Sequence, residues 1–163
     1  MNLNFIYNHN SRRSQFSQVW AKTVADLQGI DVNCYSGGVE ATAFNGRAKN
    51  SLKRSGFKVF SKANGSNPDY FLCYCDNSEP IVALSKVYDD PINSASRFAA
   101  VMTCDHADEN YPFISGIAQR IPVPYENPNA FDDSEADSEK YEERSLQIAT
   151  EMFYVFSRIK KQK

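Results

Sequence analysis

The sequence predicts an α/β fold: a single domain over residues 1–163, arranged as a three-layer sandwich with a central parallel sheet of about four strands and helices on its faces. Three observations predict it. An apolar strand, a helix and a second strand follow one another between Leu3 and Ser36, the unit of a parallel sheet with a right-handed crossover. Segment 97–103, Arg-Phe-Ala-Ala-Val-Met-Thr, is apolar enough to be a further buried strand. The C-terminal stretch repeats its large apolar residues at near-helical spacing and is suited to covering one face of the sheet.

Each element has its own warrant. Leu3-Asn4-Phe5-Ile6-Tyr7 is short and apolar-aromatic, and reads as a buried strand. It runs into the polar loop Asn8 to Ser14. Phe16, Val19, Trp20, Thr23 and Leu27 then recur at helical spacing, with Gly29 as the C-terminal stop. Val32 to Ser36 reads as the second strand, ended by Gly37-Gly38. Asn45 is placed to cap a second helix that carries Ala48 and Leu52 and stops at Gly56. Two apolar runs, 70–75 and 81–84, flank the polar turn 76–80, which predicts a β-hairpin insertion over about 66–88, added at an edge of the main sheet. The acidic stretch 126–143 reads as a solvated loop leading into a last helix. That helix carries Tyr141, Ile148, Met152, Val155, Phe156 and Ile159, with Ser134 and Asp137 as its capping pair.

Composition narrows the function classes. A hydrophobic fraction of 42% and a charged fraction of 23% are ordinary for a globular protein. A formal net charge of −2 gives no general attraction for nucleic acid or an anionic membrane, so any anion binding must be local. No basic stretch followed by an apolar core opens the sequence, and no apolar run is long enough to cross a bilayer; the expectation is a cytoplasmic protein. The four cysteines, Cys34, Cys73, Cys75 and Cys104, do not form a secreted disulfide framework. Cys73 and Cys75, two apart in a strand, point to opposite faces and have no second pair. No metal and no cofactor is expected.

The loop between the first strand and the helix has an electrostatic use. The first N–H groups of a helix lack internal acceptors, and the helix dipole adds partial positive charge there. Arg13 can add a planar, bidentate guanidinium, with Arg12 alongside. From spacing alone, an anion cradle and a basic turn capped by Ser11 or Ser14 are both open.

The residues themselves carry a resemblance. Asn10-Ser11-Arg12-Arg13-Ser14 after an apolar strand resembles the Asn-Ser-x-Arg-Ser of the low-molecular-weight protein tyrosine phosphatase loop, which runs Cys, five residues, Arg, Ser. Gln15 to Ala21 is similar to the helix of arsenate reductases of the same fold. Ser36-Gly37-Gly38-Val39-Glu40-Ala41, with Asn45 and Ala48, resembles their Ser-Ala-Gly-x-Glu-Ala and Asn-x-x-Ala. Further matches lie near Cys104 and around Asn127-Pro128. The resemblance covers most of the chain outside the hairpin. It implies a phosphotyrosine phosphatase I-like sandwich, and anion binding by Asn8, His9, Asn10, Ser11, Arg12, Arg13 and Ser14.

The departures fall on the chemistry. Counting back from Arg13, the nucleophilic cysteine is replaced by Tyr7. In the family, that thiolate attacks phosphorus while loop amides and the arginine stabilise the equatorial oxygens. A phenol ionises near pH 10 against about 8.5 for a thiol, and its ring is long enough to occupy the phosphate position. The general-acid aspartate before proline becomes Asn127, and an amide cannot protonate a leaving oxygen. Glu126, Asp89, Asp90, Asp132 and Asp133 are the other loop carboxylates considered for that role. Of the arsenate reductase relay, Cys104 remains at the second position, while the third falls on Tyr111. Cys104 is therefore a remnant, read as a buried thiol at a strand end. Three altered positions together read as natural divergence.

His9 reads as a loop-packing or solvent-facing residue, and His106 beside Cys104 is too few ligands for a metal site. The expectation is a catalytically inactive homologue, a pseudophosphatase that binds a protein, a phosphoprotein or a small phosphate-like anion. The alternative is a residual or altered phosphatase or arsenate reductase with a displaced nucleophile. A third possibility is an interaction module whose loop no longer binds anions.

Overall fold

The computed structural model describes residues 1–93, 96–105 and 114–160. Strand β1 (Asn2–Tyr7) is followed by helix α1 (Arg13–Gln28), strand β2 (Asn33–Gly38) and helix α2 (Gly46–Arg54). Strands β3 (Lys58–Ser61), β4 (Tyr70–Cys73) and β5 (Ile81–Ala83) come next. The chain then gives β6 (Phe98–Met102), β7 (Ile117–Pro122), a 3-10 turn (Pro128–Phe131) and the long helix α3 (Asp137–Lys160).

The main sheet has the order β2-β1-β6-β7 and all its pairings are parallel. β1 is central, so its residues are buried on both faces. Alternation sends Phe5 and Val101 into the core shared with α1 and α3, which pack on one another. Ile6, Ala100 and Met102 join a second cluster with Tyr7, Phe98, Cys104 and Ile114. Fully buried Phe5, Phe16, Tyr141 and Phe156 each remove a large apolar surface from water, worth roughly 1.5–3 kcal/mol apiece.

The predicted ends of the first two helices hold. Gly29 has φ +68 and its N–H closes α1 onto the Ala25 and Asp26 carbonyls, the left-handed stop that glycine makes without steric cost. Asn45 Oδ1 accepts from the N–H groups of Arg47 and Ala48 at 2.9 and 3.2 Å. Leu27, expected on the buried stripe, is 65% exposed, because the inward face of α1 runs through Ala21, Val24 and Ala25 instead.

Three expectations need correction. The hairpin exists as β4 and β5, but it belongs to a separate antiparallel sheet, β3-β4-β5, because Lys58–Ser61 pairs with β4. Among the described residues, the returning chain pairs with the main sheet through a bridge between Val87 and Gly38. The acidic stretch is not simply solvated: it contains the 3-10 turn, and its aspartates bind arginines from the loop and from α2. Ser134 and Asp137 do not cap α3. Ser134 Oγ donates to the Phe131 carbonyl at 2.7 Å, and the Asp137 carboxylate is drawn to Arg47 Nε at 2.5 Å. That guanidinium holds the Asp137 carboxyl below its usual range.

Candidate functional site

The loop Asn8–Arg12 sits where β1 meets α1, and its shape follows from where its carbonyls go. Val39 N–H and Glu40 N–H both donate to the Asn8 carbonyl, at 2.9 and 3.1 Å. Thr42 Oγ1 and Ser85 Oγ donate to the His9 carbonyl, and Gln15 Nε2 donates to that of Asn10. Asn45 N–H donates to Ser11, and Phe16 N–H to Arg12. No peptide bond here is cis, so each following N–H points opposite to its carbonyl. The N–H groups of His9 to Arg13 are thus turned away from the segments that hold the loop. Among the described residues none of them donates a hydrogen bond. Unpartnered N–H groups leading into a helix N-terminus are able to accept an anion.

Asn10 fixes this shape. It takes φ +45, a conformation that asparagine tolerates better than most residues. Ser14 Oγ donates to its Oδ1 at 2.9 Å, and its Nδ2 donates to the carbonyls of Leu84 and Lys86, each at 3.3 Å. The neighbouring glycines are required by close approach. A Cβ on Gly38 would lie 2.7 Å from the Asn8 carbonyl oxygen, and one on Gly37 would lie 2.2 Å from Tyr88 Cα.

Tyr7 and Arg13, both buried, meet beside this loop. The Arg13 guanidinium carbon lies 4.3 Å from the centre of the Tyr7 ring, a cation–π contact shielded from water. Arg13 Nη1 donates to the Tyr125 carbonyl, and its Nε is buried with no partner among the described residues. Asn127 Nδ2 donates to Tyr7 Oη at 3.2 Å, while its Oδ1 accepts from Asn129 N–H, which fixes the orientation of the amide. The positions matched to nucleophile and acid, 120 residues apart in sequence, therefore touch.

The remaining expected residues divide. Arg12 turns from the cradle: its Nε donates to Tyr141 Oη at 2.7 Å and its Nη2 to Asp132 at 3.1 Å, and Tyr141 Oη donates to the same carboxylate. His9 Nδ1 lies 2.9 Å from Glu40 on the outer side, with its ring edge-on to Tyr7. Ser11 Oγ and Asn8 Oδ1 are buried without a partner among the described residues. Ser11, His9 and Arg12 border an open cavity of about 430 Å³ at the loop's mouth, with Thr42, Phe44 and Asn45 opposite. Cys104 is buried among Ile6, Tyr7 and Met102. Tyr111 and His106 lie outside the described residues. Of the alternative acids, Glu126 pairs with Arg144 and Asp132 and Asp133 pair with arginines. Among the described residues no group of three or more His, Cys, Asp or Glu is placed to hold a metal.

Several contributors were not visible in the sequence. The Tyr125 carbonyl, the Tyr141 hydroxyl, Ser85 and the Lys86 carbonyl all act on the loop across more than 70 residues. Burial and the Asp132 hydrogen bond push the Tyr141 phenol up to about 12, so at neutral pH it stays a neutral link between Arg12 and Asp132.

No protein-family model and no curated protein sequence matches this chain. Solved structures do. A low-molecular-weight protein tyrosine phosphatase from Bacillus subtilis matches at TM-score 0.64 and 16% identity, over 99% of this chain and 98% of that one. An arsenate reductase from Archaeoglobus fulgidus matches at 0.55 and 16%, over 95% and 98%. The YwlE arginine phosphatase from Geobacillus stearothermophilus matches at 0.57 and 17%, over 99% and 94%. The four-stranded parallel sheet and its flanking helices are therefore those of the low-molecular-weight protein tyrosine phosphatase and arsenate reductase fold.

Proposed function

We propose that this protein is a pseudophosphatase: it keeps the phosphatase loop but does no phosphoryl or arsenate chemistry, and acts by binding a protein partner at the loop's mouth. The observation that carries this reading is the Tyr7 phenol held between the Arg13 guanidinium and the Asn127 amide. A phosphatase of this type needs a nucleophile ionised near neutral pH and an acid that cycles a proton. A phenol and an amide offer neither. The ring also faces the guanidinium that would clamp the equatorial oxygens. The open cavity beside His9, Ser11 and Arg12 supports docking of a protein segment at the mouth.

A second reading is favoured by one feature: the loop N–H groups remain without acceptors among the described residues. In that reading a small phosphate-like oxyanion displaces the Tyr7 ring and takes up the amides and Arg13. In either case the purified protein is expected to hydrolyse para-nitrophenyl phosphate no faster than buffer. Turnover well above background that Tyr7→Phe abolishes would instead establish an enzyme with tyrosine as its nucleophile.

A further inference from the structure

A second cavity, of about 260 Å³, lies away from the loop's mouth, between α1, β2 and the turn that enters β5. Lys86 lines it and is only 3% exposed. Its amine donates no hydrogen bond to a described group, and the carboxylates that act on it, Asp90 and Asp69, do so only through space. A buried ammonium without a counter-ion is costly and calls for an anionic partner. Burial accordingly lowers the Lys86 amine to about 8.

Asn93 lines the same cavity and supplies the second observation. Its Nδ2 donates to the Ser36 and Tyr88 carbonyls, each at 3.0 Å, which fixes the amide's orientation. That leaves Asn93 Oδ1 buried with no donor among the described residues, in a side chain more than nine-tenths buried. A buried acceptor of this kind wants a hydroxyl or N–H. Ile81, Val82 and Ile92 make the rest of the wall apolar. The other charges on the lining compete little: Glu79 is exposed at the rim, and Lys22 is already paired with Asp26 at 2.7 Å. Cys34 is no nucleophile here, since burial pushes its thiol up to about 12.

We propose that this cavity binds a small hydroxycarboxylate, its carboxylate paired with the Lys86 amine and its hydroxyl donating to Asn93 Oδ1. The Lys86 carbonyl also receives Gly38 N–H and Asn10 Nδ2, so the site shares a wall with the loop.

The test is calorimetric titration of the full chain with a set of three- to six-carbon hydroxycarboxylates, lactate and 3-hydroxybutyrate among them, against the matching diols. At least one acid is expected to bind while its diol does not, and Lys86→Met is expected to weaken it tenfold or more. The same acid should slow acetylation of Lys86 by acetic anhydride in the unsubstituted protein, relative to exposed Lys53, which keeps the test valid if the variant does not fold. The proposal is overturned if no acid binds, if acid and diol bind alike, if Lys86→Met binds as tightly, or if Lys86 is not protected.

Discussion

Tyr7 makes two contacts with the altered site, a ring face against Arg13 and a hydroxyl accepting from Asn127. Each can be removed separately. Tyr7→Phe keeps the ring and loses only the hydrogen bond, so it should lower stability by about 1 kcal/mol, read as a shifted urea midpoint at unchanged slope. Tyr7→Ala also leaves a cavity and should cost about 3–5 kcal/mol, the usual range for a large buried aromatic. The identity of position 7 was legible because the loop motif fixes its distance from Arg13. What holds Arg12 and Arg13 was not: the Tyr125 carbonyl and the Asp132–Tyr141 pair come from more than 100 residues away, and hydrogen bonds to a backbone oxygen leave no residue-type signature. Arg12 therefore read as a second anion ligand, although the structure commits it to a carboxylate.

At the scale of elements, local signals were reliable and competing long-range ones were not. The Asn45 cap is local, and Asn45→Ala should cost about 1 kcal/mol by thermal melting, because two α2 N–H groups lose their acceptor. Gly38→Ala should cost about 2 kcal/mol or more, since the new methyl would meet the Asn8 and Glu40 carbonyl oxygens, which are backbone and cannot turn aside. The Ser134–Asp137 cap failed because the Ser134 hydroxyl turns back to the Phe131 carbonyl, while the Asp137 carboxylate accepts from Arg47 Nε and from the N–H of Asp133, one residue before the expected partner. Strand β3 was missed because its four residues alternate little, and β7 because it is a half-exposed edge strand containing Gln, Arg and Pro. Both form through pairing with neighbours distant in sequence rather than through local pattern.

For the molecule as a whole, buried titrating groups set how stability varies with pH. Lys86 titrates near 8 in the fold and near 10.5 when unfolded, so the unfolded chain binds the extra proton between those values. Its contribution is fully present above pH 10.5 and is lost as pH falls through 8, a span of about 3 kcal/mol before discounting for solvent. Tyr141 acts in the opposite sense: its phenol is raised to about 12, so its contribution is present below pH 10 and is lost as pH rises toward 12. The melting temperature should therefore climb from about pH 8 to 10 and decline above about 10.5, and Lys86→Met should flatten the climb. The parallel sheet and the altered residues around the loop were readable from the sequence, because they rest on short apolar runs and one motif. Whether the cradle is open depends on where one ring packs. Titration of tungstate by calorimetry into the unsubstituted protein and into Tyr7→Ala tests that point directly. A filled cradle predicts no measurable binding by the first and clear binding by the second, whose amides and Arg13 are released. Binding of equal strength by both would contradict it and show that Tyr7 does not close the phosphate site.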